Sequence, residues 1–328
     1  MDIKEPIFKP DQSLEQVLYP MTQSFHEGML QVSDLHSIYY AEYGNPQGVP
    51  ILVVHGGPGA GCNPISARHM DPTYYRIILV DQRGAPRSTP RGEMQENNTA
   101  HLIEDFEKLR KHLGITKWIL NGGSWGVALS IAYGEAHPDV VLGFVLRGVF
   151  LARKTELQNW FGKRAFFPEK WDELVNFIPQ AERDDIIQAL YTRIMDNDSK
   201  IHMPAAMAFA QFGFSGQDLF GTSQISTALQ DEKLVLSLSR SFSHYFMNNC
   251  FFTDNQLIEN IARISHLPAI IVQGRLDLIT LPQTAYDLHK SWPGSKLVFV
   301  PDGGHSPLDP SISKALVEAT EEMKGKHI

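Results

Sequence analysis

Gly122-Gly123-Ser124-Trp125-Gly126 sets a serine between glycines two residues before it and two after. Glycines at those positions remove side chains that would collide at a tight strand-to-helix turn, and such a turn lifts a serine hydroxyl clear of a sheet at a helix N-terminus. The chemistry this spacing suits is nucleophilic attack by Ser124. A hydroxyl is a weak nucleophile at neutral pH, so it needs a base to take its proton, and the base needs an acid to fix its tautomer. A serine on this kind of turn is followed along the chain by its acid and then by its histidine. The sequence offers Asp277 and then His305, the latter in Pro301-Asp-Gly-Gly-His305. Asp302 is the rival acid, but three residues before His305 on the same loop it reads as a turn former. Acyl transfer also needs preorganised donors for an oxyanion. His55-Gly-Gly-Pro-Gly59 can bring backbone close to a substrate, so the donors are assigned to the N–H groups of Gly57 and of Trp125, directly after the nucleophile. His55 itself is expected to brace its loop. No GxGxxG or GxxxxGK[ST] pattern marks a phosphate cradle, and the 13 histidines form no HExxH or comparable cluster, so neither a metal nor a cofactor is expected.

These residues need elements to hold them. Short apolar runs at Ile51–Val54 and Arg76–Val80, each followed by Gly-containing turns, read as buried strands. Leu102, Ile103, Phe106, Leu109 and Leu113 recur at steps of three and four before Gly114, which predicts an amphipathic helix. Trp118–Leu120 runs into the serine turn, Val127–Ala136 continues as a helix, and Val140–Leu146 is a further strand. This alternation implies an α/β class with a mostly parallel sheet flanked by helices, and the strand–serine turn–helix with acid and then histidine following it is the order expected of an α/β-hydrolase fold. Between Leu151 and Ala262 the rhythm gives way to aromatic-rich, helix-like text, expected to be an inserted helical cap. Strands resume at Ala269–Val272 and Lys296–Val300, and a last helix covers Ile312–Met323. The domain expectation is therefore a core in two parts, 1–150 and 263–328, around a cap at 151–262, with residues 1–50 mainly a polar leader. Asp277 and His305 then fall beyond the carboxyl ends of strands, where open α/β sheets place their sites.

Composition narrows the partners. The 328 residues carry 29 Lys plus Arg against 37 Asp plus Glu, a formal charge of -8, so no basic field exists for nucleic acid. No run of 18 apolar residues suggests a membrane span. Cys62 and Cys250 lie far apart and in no CxxC pattern, which fits a reducing compartment and a cytoplasmic location.

Longer matches carry a resemblance. His55-Gly-Gly-Pro-Gly59, Asp81-Gln-Arg-Gly84, Asn97-Asn-Thr99, Gly122-Gly-Ser-Trp-Gly126, Leu146-Arg-Gly148, Phe166-Phe-Pro-Glu-Lys-Trp171, His244-Tyr-Phe246, Gly274-Arg275 with Asp277, and Gly304-His305-Ser306 resemble the prolyl aminopeptidase (proline iminopeptidase) family of α/β-hydrolases. The resemblance implies a serine peptidase that releases N-terminal proline or a similar residue from small peptides through an acyl-enzyme on Ser124, with Asp277 and His305 completing the triad. Two departures bear on the substrate. The family follows DQRG with Cys-Gly-Arg-Ser, and here Ala85-Pro86-Arg87-Ser88 stands instead. The family also holds the substrate's free amine with two cap glutamates. In the matching stretches this chain has Phe212-Gly-Phe214-Ser215 and, at the second glutamate's place, Phe242, which leaves Asp218 as a substitute carboxylate a few residues on. The alternative is an ester or amide hydrolase for small, neutral, apolar acyl groups.

Overall fold

In the computed structural model residues 13–217 and 228–326 are described. Eight strands form one sheet: β1 (His26–Gln31), β2 (Ser37–Gly44), β3 (Val49–Val54), β4 (Tyr75–Val80), β5 (Trp118–Ser124), β6 (Val141–Val149), β7 (Ala269–Gly274) and β8 (Lys296–Val300). Their spatial order is β1-β2-β4-β3-β5-β6-β7-β8. From β4 to β8 every pairing is parallel, while β2 runs antiparallel to both β1 and β4.

The side-chain period of two divides each central strand between two cores. Leu52, Val54, Ile78 and Val80 enter the core on one face, and Ile51, Val53, Ile77 and Leu79 enter the core on the other. Both faces are buried, so these strands are apolar throughout, as strands between two layers of helices must be. The first two strands were not expected, and their composition explains why. β1 is an edge with alternating half-exposed residues, and β2 fills its buried positions with Tyr40, Ala41, Glu42 and Tyr43 in place of a Val/Ile run.

The helices are α1 (Leu14–Val17), α2 (Thr99–His112), α3 (Trp125–Ala136), α4 (Lys154–Asn159), α5 (Pro168–Phe177), α6 (Ile186–Ile194), α7 (Ser199–Phe214), α8 (Glu232–Met247), α9 (Gln256–Glu259), α10 (Pro282–Ser291) and α11 (Pro310–Met323). Asn98 caps α2 by accepting the N–H of His101, and Leu102, Phe106 and Leu109 point its apolar stripe into the first core. Ile312, Leu316 and Ala319 of α11 close the opposite face. Among the described residues between Val149 and Ala269 no strand occurs. Trp160, Leu174, Leu190, Phe209, Phe212 and Val235 there build a third apolar cluster of their own.

Helix α3 runs through the first core and carries one carboxyl group into its buried face. Glu135 is 6% exposed, its Oε1 has no hydrogen-bond partner among the described residues, and burial pushes its carboxyl up to about 8. An acid with a folded pKa above its unfolded value destabilises the fold where only the unfolded chain is ionised. The penalty is therefore nearly absent below about pH 4.5 and grows until about pH 8, reaching on the order of 5 kcal/mol. Glu135→Gln should raise the urea midpoint at pH 8.5 and leave it nearly unchanged at pH 4.5. Equal effects of the substitution at both pH values would show that Glu135 is not buried as an acid.

Candidate active site

No loop separates β5 from α3: the strand ends on Ser124 and the helix begins at Trp125. Ser124 adopts φ 57°, ψ -122°, a conformation ordinary side chains rarely take. The glycines around it are a packing requirement. A Cβ on Gly126 would lie 2.0 Å from the carbonyl oxygen of Val54, and one on Gly123 would lie 2.4 Å from Nη2 of Arg147. Only bare backbone allows helix and strand to cross this closely.

His305 follows β8 and Asp277 follows β7. Nδ1 of His305 lies 2.8 Å from Oδ2 of Asp277. A carboxylate only accepts, so Nδ1 carries the proton and Nε2 is left as the basic nitrogen. Asp277 is 2% exposed, and its Oδ1 accepts the N–H groups of Ile279 at 2.9 Å and Thr280 at 2.8 Å. Burial alone would raise its pKa, but the charge and hydrogen bond of His305 together with these N–H donors hold it below the usual carboxylate range. The acid therefore stays ionised beside the imidazole. Asp302 is engaged elsewhere, accepting from the Ser311 hydroxyl at 2.7 Å. Sequence reading missed two further partners. Thr280 Oγ1 donates to Asp277 Oδ2 at 2.9 Å. Gln273, fully buried, accepts the Val149 N–H at 2.9 Å and donates to the Thr280 carbonyl at 2.9 Å and to Asp277 at 3.2 Å. A polar residue directly after the apolar run Ala269–Val272 was the available signal for it.

Ser124, Gly57 and Trp125 meet around a cleft of about 30 Å³. His55 lies beneath this loop: Nδ1 donates to the Gly56 carbonyl at 2.8 Å, and Nε2 accepts the Gln82 N–H at 3.0 Å. The Gln82 side chain then donates to the His55 carbonyl and accepts from Trp125 Nε1, both at 2.9 Å. One amide thus links the glycine loop to the residue after the serine. The altered Ala85–Ser88 segment is anchored too, with Arg87 Nε 3.0 Å from Asp81 Oδ2 and the Ser88 hydroxyl 2.6 Å from the Asp81 carbonyl.

Ser124 and His305 both line a cavity of about 290 Å³. The stretch between β6 and β7 contributes Trp160, Phe209, Phe214, Leu238 and Phe242 to its wall, with Gln217 and Ser239 as the polar side chains from that stretch. Phe242 stacks on Phe246 with centroids 4.1 Å apart and lies 5.1 Å from Trp160. No described lining residue of this cavity is a carboxylate, and Asp218 lies outside the described residues. The carboxylate that does reach the small cleft is Glu156, also missed in sequence, and it is held by Arg153 and by the Leu151 N–H. Among the described residues no group of three His, Cys, Asp or Glu side chains could hold a metal ion.

Residues 49–311 match the α/β-hydrolase fold family, and the chain belongs to that class. It is 44% identical to a probable proline iminopeptidase of Leptolyngbya boryana over 93% of this chain and 96% of that one. It is 42% identical to the proline iminopeptidase of Arabidopsis thaliana over 94% of this chain and 83% of that one. Within the α/β-hydrolases, then, the chain is a member of the proline iminopeptidase family. Solved structures share the fold at low identity. A Rhodococcus esterase superposes with TM-score 0.60 at 19% identity, covering 93% of this chain and 100% of its own. A proline iminopeptidase-related protein of Thermus thermophilus gives 0.57 at 18%, covering 94% and 99%.

Asp277→Asn should keep the fold and slow turnover by about 10⁴-fold, the loss expected when a base is held in the wrong tautomer. Asp302→Asn should change it little. Steady-state kinetics on both variants check the assignment, and the opposite ranking would transfer the acid's role to Asp302.

Proposed function

We propose that this protein is a serine hydrolase of the aminopeptidase type that releases N-terminal proline or a similar residue from small peptides. The observation that carries the reading is the buried Asp277–His305 pair, whose histidine lines one cavity with a serine on a strained strand-to-helix turn. In this mechanism Ser124 attacks the scissile carbonyl while Nε2 of His305 takes its proton, and Asp277 stabilises the imidazolium. The oxyanion is received by the N–H groups of Gly57 and Trp125. The imidazolium then protonates the leaving amine, and water, activated by the same imidazole, releases the acyl group from Ser124. The division into a core of 1–150 and 263–328 around a cap at 151–262 belongs to the same reading, supported by the strand-free stretch between β6 and β7. A cytoplasmic setting is part of it as well, supported by two free, buried thiols, Cys62 and Cys250.

A specific observation favours a second reading, hydrolysis of neutral, apolar acyl groups. The cap wall is aromatic, Phe242 stands within it, and Glu156 is already paired with Arg153. An ammonium buried there without a partner costs several kcal/mol.

Two experiments test these readings. A fluorophosphonate probe should label the wild type and fail on Ser124→Ala; a folded wild type that does not label would remove the catalytic reading altogether. In a panel of free and N-blocked prolyl amides and short acyl esters, Phe242→Glu should shift kcat/KM toward the free amine by about tenfold or more, a change needing only about 1.4 kcal/mol. Strong free-amine selectivity in the wild type that Phe242→Glu does not increase would remove the second reading.

A further inference from the structure

A second cavity, of about 220 Å³, lies behind the nucleophile and meets the first at Gly56, Arg147 and Pro307. The two differ in character. Trp160, Phe209, Phe214 and Phe242 dominate the wall of the first beside Gln217 and Ser239, whereas the second has no aromatic carbocycle and takes His69, Asn121, Asn63 and Ser66 along with Val53, Val54 and Leu316. Burial holds His69 down at about 4, so it is neutral at physiological pH, and Arg147 is the one fixed charge on the described lining of either cavity.

Arg147 is 9% exposed and stands at the end of β6, in register with Gly123 of β5. Its Nη2 packs against the Gly123 backbone, one residue before Ser124. Among the described residues one of its five N–H groups is paired, Nη1 donating to the His305 carbonyl. No described carboxylate lies within ion-pair distance, although Asp277 and Asp309 act on the guanidinium from further off. A nine-tenths buried guanidinium with spare donors opening on cavities is a binding group for a planar anion, since its fork matches a carboxylate bidentately.

We propose that the second cavity receives the leaving group and that Arg147 binds a carboxylate there, the free C-terminus of a short peptide. The inference rests on the amide-hydrolase reading above and deepens it. The acyl part of the substrate lies against the aromatic cap wall, the scissile carbonyl sits at Ser124, and the departing residue extends past Pro307 toward Arg147. A cavity of this size takes one small residue with its carboxylate, or several waters when empty of substrate. Arg147 is also a positioning residue, because its bond to the His305 carbonyl fixes the loop that presents the imidazole.

The test compares substrates that differ only in that charge. Prolyl-alanine should be cleaved with kcat/KM at least tenfold above prolyl-alaninamide, and the same ratio should hold for the N-acetylated pair if blocked substrates are the ones turned over. Arg147→Gln should bring the acid-to-amide ratio to about 1, and Arg147→Lys should restore part of it. A merely structural arginine would lower both substrates equally and leave the ratio unchanged. If neither pair is cleaved, the peptide reading fails on its own, and the carboxylate site is judged by protection of Ser124 from the fluorophosphonate probe. Prolyl-alanine protecting better than prolyl-alaninamide supports it; equal protection overturns it. No acid preference in the wild type, or a preference that survives in Arg147→Gln, also overturns it.

Discussion

Ser124 is held at φ 57°, ψ -122°, a conformation that costs an ordinary residue on the order of 1–3 kcal/mol, and the surrounding structure must make any relaxed alternative worse. It does so by proximity. With the strand ending on Ser124 and the helix starting at Trp125, there is no spare chain over which to spread the turn. Gly126 presses on the Val54 carbonyl and Gly123 on the Arg147 guanidinium, so relaxing the serine would drive α3 into β3 or strand backbone into a buried charge. Parallel pairing of β5 with both β3 and β6 then fixes where the turn emerges relative to the glycine loop and to Arg147. The strain is thus sustained by the sheet's own register.

Two buried glutamines join the parts that this register alone would leave separate. A primary amide both donates and accepts, so a single side chain can tie together two backbone segments. Gln82 does this between the loop at His55 and the indole of Trp125, so the two donors assigned to the oxyanion are supported through one residue. Gln273 does it between the Val149 amide and the loop bearing Asp277 and Thr280. Removing either amide would strand buried donors and acceptors, which costs about 1–3 kcal/mol each. The whole strand-end surface becomes rigid where the chemistry needs fixed distances.

The legible and illegible parts of this protein divide by physical cause. Strands β3 to β7 and the serine turn could be read because burial on two faces demands continuous apolar runs and because glycine is required where backbones cross, and the half-buried edge strand β8 still kept a short apolar run. Strands β1 and β2 could not, since an antiparallel edge admits polar residues and buries tyrosines in place of Val and Ile. Chain order singled out Asp277 and His305, and the structure pairs the two at 2.8 Å beyond neighbouring strand ends. Gln82 and Thr280 act through tertiary contacts with no local pattern, and for Gln273 the one local signal was a polar residue directly after an apolar run. Arg147 and Glu156 belong to the same group, because a sequence displays a charge but not the absence or presence of its partner.

That last distinction governs the electrostatics of the site. Glu156 is neutralised by Arg153, and the described cap wall contributes no charge, so the fixed field in the described cavity comes from Arg147 and from the ionised Asp277 behind His305. A substrate bearing only a free amine would add a second positive charge facing Arg147, with the ionised Asp277 behind His305 offsetting part of the repulsion. For charges ~10 Å apart at an effective dielectric of ~20 the repulsion is about 1.7 kcal/mol, before any desolvation of the amine. A short zwitterionic peptide alters that balance, since its carboxylate at Arg147 supplies the missing counterion while the amine end rests against aromatic faces that attract cations. Phe242 on the cavity wall and the Arg147 guanidinium without a carboxylate within ion-pair distance fit together in this sense. If Arg147 binds the carboxylate as proposed, selectivity lies at the carboxyl end of the substrate and favours peptides short enough to reach Arg147.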